Sequence, residues 1–584
     1  MGQRLRRYLP ALSWLRHYNR QSLTRDAGAA VLVSIIVIPQ SLAFALLAGL
    51  PPQAGLYASI LPCLAYSLFG TSHTLAVGPV ALISLMSAAA VGDVASEGTG
   101  GYMVASVFLA LLSGGILLVM GALRLGFLSN FISHPVISGF ITASGILIAA
   151  SQLQHVLGLD ASGNNLIDLG VSFYQALPQA HVETMALGLP ALMFLYLVRN
   201  HLAWILAKIG ISNAIRGVLV RMGPVMAVIL ATLAVTLLGL EERGVAVVGE
   251  VPAGLPPLGL PDGSLALLQQ LFMPALLISI VTFVESVSLA HKLAARRRER
   301  VDPDQELLAL GSANIASALS GGFAVAGGFS RSVINFDAGA RTPAAGAFTA
   351  VGIGLVTLFF TPLFTNLPNA VLAASIIVSV LTIVDLTIIR ETWRYSRHDG
   401  QALIGTVLVT LLFGVIPGIV TGIAVSLALY LWRTSRPHSA LVGRIEGSES
   451  FRNIARYEVE EDPEVMILRV DESLYFANAR YLENRIDALV AAQPRCRDFV
   501  LMCPAVNHID ASALESLDEI NGRLHDAGIR LHLSEVKGPV MDRLNQSHFL
   551  QGLTGEVFMS TYDAWCTLRQ NRHNASPPGN KPQS

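Results

Sequence analysis

The chain has 584 residues, of which 53% are hydrophobic and only 14% charged; an ordinary soluble domain carries about 25% charged residues, so most of this chain belongs in a bilayer. With 39 basic and 40 acidic side chains the formal net charge is −1, which excludes the basic surface a nucleic-acid partner requires. Cys63, Cys496, Cys503 and Cys566 show neither metal-ligand nor disulfide-framework spacing, and there is no hydrolase triad, P-loop or dinucleotide fingerprint. The expectation is a chain that is not an enzyme and takes no cofactor or metal.

The basic N-terminus runs too long and irregularly before its first apolar segment to read as a cleaved signal peptide. A spanning helix needs about 20 apolar residues. Apolar runs occur at 27–47, 53–69, 75–91, 101–121, 131–152, 184–198, 217–239, 269–291, 306–320, 330–337, 342–361, 366–384, 402–414 and 417–433. Several are too short to cross alone, and hydropathy by itself permits about twelve to fourteen crossings. Basic side chains decide the count. Arg4, Arg6, Arg7, Arg16, Arg20 and Arg25 precede span 1, and Arg124, Arg199 with Lys208, Arg296 to Arg298, and Arg390 with Arg394 follow even-numbered spans. That asymmetry fits fourteen spans with both termini in the cytosol, and a multi-pass protein of the plasma membrane, in a bacterium the inner membrane.

Span 1 carries Pro39, Gln40 and Phe44 in "IPQSLAFALLAGL". The proline frees a backbone carbonyl, Gln40 offers an amide donor, and the edge of the Phe44 ring is positively polarised; taken alone, Phe44 equally reads as packing. Span 3, "GTSHTLAVGPVALISLM", is broken at Gly78 and Pro79, with the proline suited to a helix's first turn. Span 8, "LISIVTFVESVSLAHKLA", places Glu285 in an apolar helix, where a carboxylate is costly and marks a functional position. Span 10, "GGFAVAGGFSRSVINF", is an extended piece entering a helix near Ser330 and followed at once by Arg331. A half-helix beginning at mid-membrane already presents unpaired N–H groups and about half a positive charge, and an arginine adds to it, so the site asks for an anion. The competing reading makes Arg331 a structural cation neutralised by Glu285 or Asp337. Broken helices at corresponding places in two halves point to a transporter's midplane site. Spans 3 and 10 differ by seven, as symmetry mates of a seven-plus-seven repeat would.

Past residue 440 strands and amphipathic helices alternate: "EVMILRVDESLYFAN", "ARYLENRIDALVAAQ", "DFVLMCPAV", "SALESLDEINGRLHDAG", "IRLHLSEV" and a helix from about Pro539. The expected organisation is a transmembrane transport domain over 1–435, a linker over 436–450, an α/β domain over 451–570 and a disordered tail over 571–584.

These segments together resemble the sulfate permease (SulP) family of anion transporters. The likeness runs through "PQSLAFALLAGLPPQAGLY", "FGTSHTLAVGPVALISLM" and "GGFSRSVINFDAGARTP" and on into the C-terminal domain, covering nearly the whole chain. The resemblance implies a polytopic α-helical fold, a fourteen-span inverted repeat of seven plus seven divided into core and gate domains, followed by a cytosolic α/β STAS domain. It also implies a homodimer and elevator-like carriage of a small inorganic or carboxylic anion, with protons as the coupling ion and the lipid bilayer as surroundings. The substrate-binding residues it implies are Gln40, Phe44, Val80, Ser330 and Arg331, with Glu285 as the proton-coupling residue. Relatives often carry phenylalanine where this chain has Val80, which makes the site roomier here. Sodium-coupled bicarbonate members add a hydroxyl residue one turn beyond the acidic position; here Leu289 stands there and cannot coordinate sodium.

Ser512, in "HIDASALESL", matches the phosphorylatable serine of bacterial anti-sigma antagonists and is the regulatory candidate, with a cytosolic protein as partner at this domain. A helix N-cap made by Asp510 or Ser512 is the plainer reading. The expected function is a secondary active transporter of sulfate, bicarbonate or a dicarboxylate. The alternatives are sodium-coupled bicarbonate symport, uncoupled exchange or a channel, a nucleobase permease of the same fold, and an anion sensor signalling through its STAS domain.

Overall fold

The computed structural model describes residues 9–130, 133–212, 216–217, 219–220, 222–261 and 264–575; Arg4, Arg6, Arg7 and the tail from 576 lie outside the described residues. The chain divides into two compact units, Met1–Ser426 and Leu427–Ser584.

The first unit is helical. Its spans are Arg20–Leu47, Pro52–Phe69, Ala81–Gly92, Gly100–Ala122, His134–Leu157, Val182–Lys208, Gly223–Leu238, Leu265–Arg297, Pro303–Leu319, Phe329–Asp337, Ala344–Phe359, Asn369–Val380, Arg397–Phe413 and Val415–Thr434, numbered 1 to 14 in that order. Among the described residues six of these, spans 1, 4, 5, 6, 8 and 14, are individually long and apolar enough to cross a membrane. Spans 3 and 10 are half-helices that start at depth, as their glycine-rich approaches require.

Packing separates the spans into two groups. Spans 4 and 9, 2 and 9, 2 and 11, 1 and 11, and 4 and 8 pack together in one; spans 5 and 13, 5 and 12, and 6 and 12 pack in the other. Spans 1 and 3 join them, through spans 12, 7 and 5. Adding seven to each span number turns the 2–11 contact into 9–4, the 1–11 contact into 8–4 and the 5–13 contact into 12–6. The packing is that of an inverted repeat of seven plus seven spans, with spans 1–4 and 8–11 as core and the rest as gate. Small residues let the core helices touch. A Cβ on Gly311 would lie 2.9 Å from the Gly114 carbonyl oxygen, and one on Gly114 would lie 2.7 Å from Ile315 Cγ1.

The turn before span 3 is tied to span 9 by a carboxyl group. Glu306, wholly buried, accepts from Tyr66 Oη at 2.7 Å, Thr71 N at 2.8 Å, Thr71 Oγ1 at 2.6 Å and Ser72 N at 3.2 Å. Removing it strands several buried donors, each costing about 1–3 kcal/mol. Glu306→Ala is therefore expected to lower the thermal unfolding midpoint of the purified protein by several degrees, and an unchanged midpoint would show that the turn holds without it.

The second unit is a six-stranded sheet in the order β4-β3-β5-β6-β7-β8: β3 Ser439–Arg444, β4 Phe451–Asn453, β5 Val465–Val470, β6 Asp498–Met502, β7 Arg530–Ser534 and β8 Val557–Phe558. β3 is antiparallel to β4 and β5, and the others pair in parallel. The period-two rule sorts the side chains. Met466, Leu468, Phe499 and Leu501 face the helices Phe476–Ala492 and Ala511–Asp526, whereas Ile467, Val500 and Met502 face Trp565 and Leu568 of the last helix, Thr561–Ala575. Two features differ from the sequence expectation. β3 occupies the stretch read as a linker, because its alternation is short and follows the polar "RTSRPH". The last helix covers the start of the stretch read as a disordered tail, held there by Trp565.

Candidate functional site

Backbone at membrane depth must find partners inside the protein, and here the two breaks supply each other's. A two-residue strand before span 3, β1 Val77–Gly78, pairs antiparallel with one before span 10, β2 Ala326–Gly327. Gly328 N extends the ladder to Ala76 O at 3.0 Å. Three neighbours close the remaining groups: Ser286 Oγ of span 8 accepts from Gly327 N at 2.9 Å, Ser332 Oγ accepts from Ala76 N at 2.9 Å, and Asn314 of span 9 both donates to and accepts from the Val325 backbone at 2.9 Å. Three polar side chains from spans 8, 9 and 10 thus fix where the half-helices begin.

Neither half-helix has a side-chain cap: Val80 and Gly328 occupy the N-cap positions. Their first-turn N–H groups therefore have no intrahelical acceptor. Both starts open on one cavity of about 60 Å³, lined by Val80, Ala81 and Leu82 from one side and by Gly328, Phe329, Ser330 and Arg331 from the other, with Gln40, Phe44 and Glu285. All five residues implied as substrate-binding, and the acidic residue of span 8, thus meet in a single cavity. Phe44 and Val80 are each 7% exposed. Pro79 differs from its expected place. It precedes the N-cap instead of entering the first turn, and its carbonyl accepts a hydrogen bond from Arg331 Nη2.

Arg331 is buried. Its guanidinium reaches across the β1–β2 pair to that carbonyl, and a Cβ at Gly78 would collide with it. At Gly328 a Cβ would lie 2.7 Å from Arg331 Nε. Glycine on both sides is what lets an arginine fit between the two helix starts. Among the described residues no carboxylate oxygen lies within 4.0 Å of the guanidinium, so a static ion pair with Glu285 or Asp337 is not the arrangement. Glu285 Oε2 is buried without a hydrogen-bond partner, and so is the hydroxyl of Thr282 one turn before it. Behind Glu285 lies a small apolar cavity of about 20 Å³ bounded by Phe140, Ile280 and Ile419. Leu289, one turn further along span 8, is buried and apolar.

Sequence reasoning missed the contribution of span 12. Ser379, Thr382 and Ile383 complete the cavity, and a larger one of about 290 Å³ shares Gln40, Ser330, Ser379 and Thr382 with it. The signal was Ser375, Ser379 and Thr382 at spacings of four and three, a hydroxyl stripe on one helix face. Ser512 belongs to the second unit, exposed in the first turn of its helix. The cap there is Asp510, which accepts from Ala513 N at 2.8 Å and from Phe476 N at 2.9 Å.

Comparison with known proteins agrees with this architecture. The sulfate permease family matches residues 23–406 and the STAS domain residues 456–564. The chloroplastic sulfate transporter 4.1 of Arabidopsis thaliana is 33% identical over 95% of this chain and 82% of its own length. A probable sulfate transporter of Mycobacterium tuberculosis is 32% identical over 95% and 96%. Among solved structures, SLC26A9 aligns with a TM-score of 0.90 at 22% identity, covering 98% of this chain and 94% of that one. The transmembrane domain of the cyanobacterial bicarbonate transporter BicA aligns at 0.59 and 22% over 69% and 98%. At such identities these structures bear on the fold alone. The chain belongs to the sulfate permease family and is a multi-pass membrane transporter with a C-terminal STAS domain, not an enzyme.

Proposed function

We propose that the protein is a secondary active transporter of a small oxyanion, sulfate first, held between the starts of spans 3 and 10 and accompanied by protons through Glu285. The observation that carries this reading is the convergence on one cavity of two uncapped helix N-termini and a buried arginine that, among the described residues, pairs with no carboxylate. N–H groups, helix dipoles and guanidinium all favour negative charge there. Gln40, with no hydrogen bond of its own among the described residues, supplies a further amide donor from span 1.

The names of the relatives favour sulfate, and the small volume beside Arg331 favours a compact oxyanion over an extended dicarboxylate. Leu289 offers no oxygen to a sodium ion, which supports protons as the coupling ion. The separation into core and gate spans supports an elevator movement in which the core carries the anion past the gate. The basic residues flanking odd-numbered spans at their starts support cytosolic termini in the plasma membrane.

The test is uptake of labelled sulfate, bicarbonate and succinate by proteoliposomes under an imposed proton or sodium gradient. Saturable, acid-stimulated sulfate uptake is the expected result. Sodium-stimulated bicarbonate uptake would overturn both substrate and coupling ion.

A further inference from the structure

Arg199 lies within span 6, where the helix Val182–Leu197 loosens into a π-turn, Val198–Leu202. Such turns are rare and recur at functional positions. By sequence alone the residue reads as one of the boundary cations that set orientation. Its geometry does something more specific. The guanidinium donates from Nη1 to the Val378 carbonyl at 2.8 Å, capping the last turn of span 12, whose C-terminal carbonyls lack intrahelical donors. That bond engages one of five guanidinium N–H groups.

The same side chain lines the 290 Å³ cavity, together with Ser375, whose buried hydroxyl has no hydrogen-bond partner. The cavity follows the outer flank of half-helix 10, from Ser330 at its start past Val333 and Ile334, and the flank of span 1 from Gln40 back to Ile36. It therefore leads from the Arg331 cavity toward the membrane face at which span 1 begins. It joins that cavity through Gln40, Ser330, Ser379 and Thr382. A permanent cation sits along the approach, a second at its inner end, and neutral donors line the way between.

We propose that this larger cavity is the anion's approach to the site, and that Arg199 is a relay cation that draws the oxyanion in and passes it to Arg331. The inference rests on the transport reading above. Arg199 acts on capture. A fixed charge at a cavity mouth raises the local concentration of counter-ions and the rate of encounter, and added salt erases the gain.

The experiment measures sulfate uptake against concentration by the full-length protein in proteoliposomes, for wild type, Arg199→Gln and Arg199→Lys, at low and high potassium gluconate. Arg199→Gln is expected to raise KM about tenfold at low ionic strength, with kcat within about twofold, and to lose most of the salt dependence of wild type; Arg199→Lys should restore much of both. An Arg199→Gln KM equal to that of wild type overturns the inference. So does a lower kcat at unchanged KM accompanied by reduced thermal stability, which would make Arg199 a cap for span 12 and nothing else. A wild-type protein inert toward sulfate, bicarbonate and succinate would instead remove the transport reading itself, and the relay with it.

Discussion

Arg331→Ala is expected to abolish saturable sulfate uptake by proteoliposomes while leaving a folded, membrane-inserted protein. The β1–β2 pair is held by backbone hydrogen bonds and by Ser286, Ser332 and Asn314, so the half-helix starts do not depend on the guanidinium for their placement. The anion does. Truncating one member of a buried, hydrogen-bonded charge pair costs about 2–5 kcal/mol, which corresponds to a loss of uptake efficiency of roughly 30- to 5,000-fold. Among the described residues lining the cavity, the truncation also leaves no cation to meet an anion. Arg331→Lys keeps the charge but gives up the planar guanidinium that spans from the Pro79 carbonyl to the cavity, and is expected to retain a fraction of the uptake with a raised KM. Near-normal uptake by Arg331→Ala, with the variant eluting as a single species, would remove Arg331 from the site.

The two broken spans were legible because glycine and proline in an apolar run have few uses. "GP" before "VALISLM" and "GG" before "FSRS" mark backbone that leaves a helix at depth, and Arg331 and Glu285 stand out from apolar neighbours. The side chains that position the breaks were not legible. Ser286, Asn314 and Ser332 read as small polar residues tolerated in helices, and only the fold brings them to the Gly327, Val325 and Ala76 amides. Glu306, at the edge of an apolar run, carries no sequence signal that sets it apart. In the structure it is buried and ties the turn before span 3 to span 9. The Ser375–Ser379–Thr382 stripe and Arg199 were hidden for a different reason. A hydroxyl per turn and a basic residue at a span end each have an ordinary explanation, and only the shared cavity sets them apart. In the second unit the helices and central strands were strong signals. β8 is two residues long, too short for any period to show.

Glu285→Gln is expected to separate binding from coupling. The substitution keeps the side chain's size and removes its ability to release a proton. Exchange of labelled for unlabelled sulfate should then continue within a few-fold of wild type, whereas accumulation against a gradient should disappear. The reason lies in the shared cavity. Glu285 and Arg331 line the same cavity. A bound oxyanion brings negative charge into that cavity, and a proton carried on Glu285 offsets it. Anion and proton each strengthen the other's binding by the same factor, and a carrier that moves loaded with both, or empty of both, is a symporter. One pH unit is worth about 1.36 kcal/mol per proton, so acid outside by one unit supports up to about tenfold accumulation for each proton carried. Wild type is expected to approach that ratio, and Glu285→Gln to stay near equilibrium at every imposed pH gradient. Accumulation that survives in Glu285→Gln would place the proton elsewhere. Accumulation in wild type that follows sodium and ignores pH would turn attention to the unpartnered Thr282 hydroxyl, one turn before Glu285 on span 8, as an oxygen that a cation could recruit in place of the hydroxyl absent at Leu289.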